Sequence, residues 1–176
     1  MSSVEPLLDR PRLMEAFRVM DELLAQRGLV CSVYVFGGAA MVLAFDERQS
    51  TRDVDSRYTS TAAVEEVVGE VARRLRLPRS WLNEQATVYL PRERDASATT
   101  VYDTRNLRVS RASARHLLAM KAAAARRHRD LEDIALLAGA VGITTVEGVV
   151  AVHDQVLPDD PLDGERIARI QEALQR

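Results

Sequence analysis

The chain has 176 residues, 47% of them hydrophobic, with a formal net charge of −2, enough apolar material for one ordinary core and one compact domain, and too little positive charge for indiscriminate nucleic-acid binding. Cys31 is the only cysteine, which excludes an internal disulfide and a cysteine-built zinc site. The apolar runs are broken by charge short of membrane-spanning length, and the acidic start "MSSVEPLLDR" lacks a signal-peptide layout, so a soluble cytoplasmic protein without membrane contact is expected.

In chain order the pattern predicts alternating helices and strands, a mixed α/β (α+β) class. Leu13, Phe17, Met20 and Leu24 recur at helical spacing, with Asp9 as cap and Gly28 as stop. "CSVYVF" (31–36) reads as a short strand, followed by Gly37-Gly38 and the helix-forming "AAMVLAF". "RDVDSRY" reads as a second strand, with Ser56 and Arg57 predicting a bend or an early end. Residues 62–77 read as an amphipathic helix ended by Pro78, and "ATVYL", "TTVYD" and "NLRVS" as further strands. Ser113 caps a predicted helix through His128, "RDLEDIALLAGA" continues as another, Thr144 with Glu147 forms a capping box, and a last helix covers about 163–175. Trp81 is assigned to the core.

Two pieces carry chemistry. Residues two apart on a strand share a face, so Asp53 and Asp55 present their carboxylates together while Val54 turns inward. Two adjacent hard oxygen donors call for a cation and suit Mg2+ (or Mn2+), which needs a few carboxylates, waters and substrate phosphates. Gly37 and Gly38, lacking Cβ atoms, let backbone N–H groups approach a phosphate at a helix N-terminus. Taken singly, a glycine pair is also plain turn geometry, and Asp-x-Asp is also a solvated strand end.

Positive charge is concentrated in one stretch. From Thr104 to Arg129 the chain carries Arg105, Arg108, Arg111, Arg115, Lys121, Arg126, Arg127 and Arg129, with His116 and His128 and no carboxylate. Such a run is either a solvated face opposite acidic neighbours or a track for a phosphate backbone.

The Gly-Gly turn followed by Asp53-Val54-Asp55 resembles the signature of the polymerase-β-like nucleotidyltransferase superfamily, and "HLLAMKAAAARRHRDLEDIALL" resembles the later motif of the AbiEii and MenT group of nucleotidyltransferase toxins and related uncharacterised bacterial families. The resemblance covers roughly residues 30–140, with a helical tail from about 143 to 176. "WLNEQA" (81–86) also resembles a segment of one uncharacterised family. What this implies is a minimal nucleotidyltransferase fold, a short mixed twisted sheet flanked by helices, that moves a nucleoside monophosphate from an NTP to an acceptor hydroxyl.

On the matching positions the resemblance implies Asp53 and Asp55 as metal ligands and catalytic groups. It places Lys121 and Asp130 in the catalytic set, Lys121 and Arg129 on the triphosphate, and Asp133 in support. Gly37, Gly38, Thr51 and Arg52 would seat the nucleotide. Many relatives use a third carboxylate, for which Asp103 is the candidate here. The implied acceptor is tRNA or another RNA along Arg105, Arg108, Arg115, Arg126 and Arg127, and the implied role is that of a toxin with a cognate antitoxin. Alternatives are AMPylation of a protein partner and a non-catalytic nucleotide- or RNA-binding subunit. Lys121 and the two carboxylates also admit a structural reading, as a snorkelling lysine and as aspartates that cap a helix or pair with arginines.

Overall fold

The computed structural model describes residues 7–46, 50–125 and 128–175, and at 128 and 129 the backbone alone. The class is mixed α/β as expected, with a five-stranded mixed sheet and seven α-helices among the described residues, in keeping with a minimal nucleotidyltransferase fold. The chain groups into two compact units, Met1–Val88 with Ala98–Arg111, and Tyr89–Ser97 with Ala112–Arg176.

The first unit holds the sheet. Helix α1 (Arg10–Gln26) starts where Asp9 Oδ1 accepts a hydrogen bond from the Arg12 N–H at 2.9 Å and where Pro11 occupies the first turn. It stops before Gly28, whose φ of 64° is the left-handed conformation that glycine adopts without penalty. Its buried stripe includes the four predicted residues Leu13, Phe17, Met20 and Leu24, and the helix packs on α3 (Ala62–Leu75) and on the sheet.

Strands β1 (Cys31–Val35), β2 (Val54–Tyr58), β3 (Leu82–Asn83), β4 (Thr99–Asp103) and β5 (Leu107–Arg111) lie in the order β3-β2-β1-β5-β4. Helix α2 (Gly37–Ala44) connects β1 to the segment leading into β2. The central strand β1 runs antiparallel to β2, with Val35 opposite Ser56, and parallel to β5, with Tyr34 opposite Ser110. Cys31, Val33, Val35, Leu107 and Val109 are buried and share one face, the alternation of a half-buried sheet.

Two expectations need correction, and one strand was not expected. Strand β2 does not break at Ser56, because Ser56 is fully buried with its hydroxyl donated to the Asn83 carbonyl at 3.1 Å, so its polarity is satisfied inside the sheet. "ATVYL" is not a strand. Thr87–Tyr89 forms a 3-10 turn, closed by the Thr87 N–H and hydroxyl on the Glu84 carbonyl, and Val88 and Tyr89 are exposed; strand-forming residues without a neighbouring strand take the local turn. Strand β3 was not foreseen; it pairs parallel to β2 through Val54 opposite Leu82 and Asp55 opposite Asn83.

The second unit is helical: α4 (Ala114–Ala124), α5 (His128–Ala140), α6 (Val146–Val156) and α7 (Gly164–Leu174). Helix α4 packs on α5, α6 and α7, and it ends four residues before the expected His128. Helix α6 is capped by Thr145 and not Thr144, since the Thr145 hydroxyl accepts the Gly148 N–H at 3.1 Å. No described helix is long and apolar enough to cross a membrane.

Asp95, which sequence reasoning passed over, ties the Tyr89–Ser97 segment to α4. Its carboxylate accepts the Ser113 N–H at 2.7 Å and the Ser97 N–H at 3.2 Å, and lies 3.3 Å from His116 Nδ1. His116 is thereby part of the helix start, and His153 is fully buried in α6.

Candidate active site

The glycine turn and the carboxylates meet at the end of β1. Gly37 has a φ of 62°, which a side chain disfavours, and it begins α2 directly after the strand. A methyl group in place of its hydrogen would lie 2.6 Å from Asp55 Oδ2. The missing Cβ is therefore what admits the Asp55 carboxylate to the turn. The same approach is held on the main chain, where the Phe36 N–H donates to the Asp55 carbonyl at 3.0 Å. The carboxylate thus sits by the N-terminus of α2, where the helix dipole favours negative charge. Gly38 follows as the second residue of that helix, partly exposed.

Asp53 lies one residue before β2 begins, with Val54 between the two carboxylates completely buried, as the two-residue spacing predicts. Asp53 Oδ2 accepts from Asn83 Nδ2 at 3.3 Å. Asn83 is itself buried, and its amide also donates to the Ser80 carbonyl and accepts the Gln85 N–H. The Val54 N–H donates to the carbonyl of Trp81 at 2.7 Å, so the 81–83 segment holds β2 from Asp53 to Ser56. At the far end of β2, burial and the hydrogen bond to Glu65 push the Tyr58 phenol well above its ordinary value.

Thr51, expected to seat a nucleotide, is buried, its backbone pairs with Leu8, and its hydroxyl donates to the Asp53 carbonyl at 3.1 Å. Arg52, next to it, is exposed.

Asp103 cannot join the pair. It stands opposite Arg108, which stands opposite Ser32 near the start of β1, whereas Asp55 neighbours Phe36 beyond its end. Strand spacing puts the two carboxylates on the order of 20 Å apart. The β5 residue level with Tyr34, on the Asp55 face and towards that end of the sheet, is Ser110. Among the described residues no group of three His, Cys, Asp or Glu side chains is placed to hold a metal ion. Two carboxylates still fit Mg2+, which keeps waters and draws the rest of its shell from substrate phosphates.

Lys121, Asp130 and Asp133 come together within the helical unit. Lys121 Nζ lies 3.1 Å from Asp130 Oδ1 and 2.8 Å from Asp133 Oδ2, and the Asp133 side chain is only 3% exposed. The three side chains form an ion-paired clasp between α4 and α5.

The basic run is divided. Arg105 and Arg108 belong to the β4–β5 end of the first unit and Arg115 to α4 of the second, all three exposed. Arg108 donates to the Thr100 hydroxyl at 3.4 Å, and Arg115 bonds to Gln155. Arg126 and Arg127 lie outside the described residues, as does the side chain of Arg129.

No curated protein and no solved structure matches the chain. A family model matches residues 11–156, so α1 and α6, which sequence reading left outside the resemblance, fall within the matched region. A turn that needs glycine to admit a carboxylate, a second carboxylate two residues away, and a match over most of the length agree: the chain belongs to the family described as nucleotidyltransferase of unknown function (DUF6036).

Proposed function

We propose that the chain transfers a nucleoside monophosphate from an NTP to an acceptor hydroxyl, releasing pyrophosphate, with Mg2+ (or Mn2+) held by Asp53 and Asp55. The observation that carries this reading is the Asp55 carboxylate seated on the Gly37 turn at the start of α2. The bound ion would neutralise charge on the phosphates and promote loss of the acceptor proton. The chain's own residues supply the rest. Gly37 and Gly38 offer backbone N–H groups at the positive end of a helix to the polyphosphate. Exposed Arg52 adds a cation beside Asp53. Asn83 donates to the first carboxylate, and the Thr51 hydroxyl donates to the backbone carbonyl of the same aspartate.

For the acceptor we favour RNA, supported by exposed Arg105, Arg108 and Arg115, with tRNA and a toxin–antitoxin role as the form that the resemblance to the AbiEii and MenT group suggests. The second reading, transfer to a protein hydroxyl, is favoured by the local partners of two of these arginines, Thr100 and Gln155.

The test incubates the protein with each α-labelled NTP, Mg2+ and cell lysate, beside Asp53→Asn and Asp55→Asn. Label in RNA that both variants lose supports the first reading, and label in a protein moves the acceptor. Equal labelling by wild type and both variants, or none by wild type, overturns the assignment.

A further inference from the structure

We propose that Asn83 is a positioning residue for the metal-binding carboxylate Asp53, which gives the "WLNE" segment a part in the chemistry. The inference rests on the proposed function, since it concerns a metal site at Asp53 and Asp55.

An asparagine costs free energy to bury unless its amide is satisfied, and here both ends are engaged. Nδ2 donates at 3.3 Å to Asp53 Oδ2 and at 3.3 Å to the Ser80 carbonyl, while Oδ1 accepts the Gln85 N–H at 3.1 Å. The residue is 8% exposed, and its backbone is held as well, by the parallel pairing of Asn83 with Asp55 and by the Ser56 hydroxyl on its carbonyl. A single side chain therefore spans the first carboxylate while its backbone registers the second.

Asp53 gains from this what its own backbone does not provide. It sits outside the ladder, one residue before β2, so the sheet does not fix its side-chain torsions. An amide N–H on one carboxylate oxygen sets the plane of the group before an ion arrives. It also makes that oxygen an acceptor already partly satisfied. Outer partners of this kind, when removed, typically weaken metal affinity by about 10–100-fold.

The experiment measures Mn2+ affinity by electron paramagnetic resonance titration of the full chain, with an Asp53→Asn/Asp55→Asn variant subtracting ions bound elsewhere. Asn83→Ala removes the whole amide. Asn83→Ser keeps a short oxygen able to accept the Gln85 N–H in a comparable turn but does not reach Asp53. Thermal melts report whether each variant folds, and Asn83→Ser serves should Asn83→Ala fail.

Asn83→Ser is expected to weaken Mn2+ binding by about 10-fold or more in the wild-type background and by less than about 2-fold when Asp53 is already Asn, since the effect passes through that carboxylate. Equal losses in both backgrounds, or no loss in either, overturn the positioning role while leaving the metal site standing. Wild type that binds no more Mn2+ than the doubly substituted chain overturns the proposed metal site, and this inference falls with it.

Discussion

Replacing Gly37 by alanine separates two costs that usually arrive together. The first is conformational: with φ at 62°, any residue bearing a Cβ is strained by about 1–2 kcal/mol. The second is particular to this turn. The new methyl would stand 2.6 Å from Asp55 Oδ2, where ordinary contact begins at 3.4 Å, so the carboxylate must retreat by several tenths of an ångström or the turn must open. Gly28 supplies the control, because it has a φ of 64° and nothing within 4 Å of the same position. Both variants should lose the conformational share of stability, about 2–4 °C in Tm per kcal/mol for a chain of this size, and Gly37→Ala at least as much as Gly28→Ala. Only Gly37→Ala should also lose function. A misplacement of about 1 Å at a reacting centre costs about 100-fold, so a fall of 10- to 100-fold in transfer rate is expected beyond that of Gly28→Ala. Single-turnover transfer of labelled nucleotide at saturating NTP is the assay, with melts run alongside. Gly37→Ala with the same activity as Gly28→Ala would show that the approach of Asp55 to the turn has no part in the reaction.

Three further outcomes follow from the geometry. Lys121→Ala should lower stability by up to about 3–5 kcal/mol in urea titrations, because it removes the cation between Asp130 and the nearly inaccessible Asp133, and Lys121→Met with Asp133→Asn should recover part of it. The folded-state pKa of Tyr58 is raised, so its contribution is fully present below its unfolded value of about 10 and is lost as pH rises beyond that; Cys31, also raised by burial, acts in the same direction from lower pH. Tyr58→Phe should flatten the alkaline limb of a stability profile taken between about pH 9 and 11. Arg108→Gln with Arg115→Gln should reduce the log–log salt slope of RNA binding by about 1.4 if each follows a phosphate of a single strand, and an unchanged slope in anisotropy titrations would favour the protein acceptor.

How much of this was legible in the sequence depends on how local the signal is. Caps at Asp9 and Ser113, the apolar stripe of α1 and the two-residue spacing around Val54 are decided by near neighbours, and all reappear in the fold. The double ion pair of Lys121 with Asp130 and Asp133 was not legible, because it joins two helices, α4 and α5, and sequence reading offers the aspartates to arginines or to a helix cap. Strand β3 was not, because a two-residue strand has no period and exists only through its partner β2. Val88 and Tyr89 misled for the converse reason, being good strand residues with no strand beside them. Asp103 looked eligible as a ligand until register placed it at the other end of the sheet, a fact about pairing that composition does not carry. Asn83 and Asp95 were missed because an isolated polar residue announces nothing until its distant partner is known.

The single tryptophan makes the metal question observable without labels. Trp81 is fully buried, its indole N–H donates to the Val68 carbonyl at 3.1 Å, and its own carbonyl receives the N–H of Val54, between the two carboxylates. Intrinsic fluorescence excited at the indole therefore has one origin in this chain, a buried side chain whose backbone is bonded to the residue next to Asp53. Emission should be blue-shifted and inaccessible to iodide. A paramagnetic ion arriving beside Asp53 should quench it, while a diamagnetic one should not. Because that indole belongs to the sheet-bearing unit, its red shift in denaturant tracks the loss of that unit alone, and comparing it with far-ultraviolet dichroism, to which the helices of both units contribute, would show whether the two parts of the molecule melt as one.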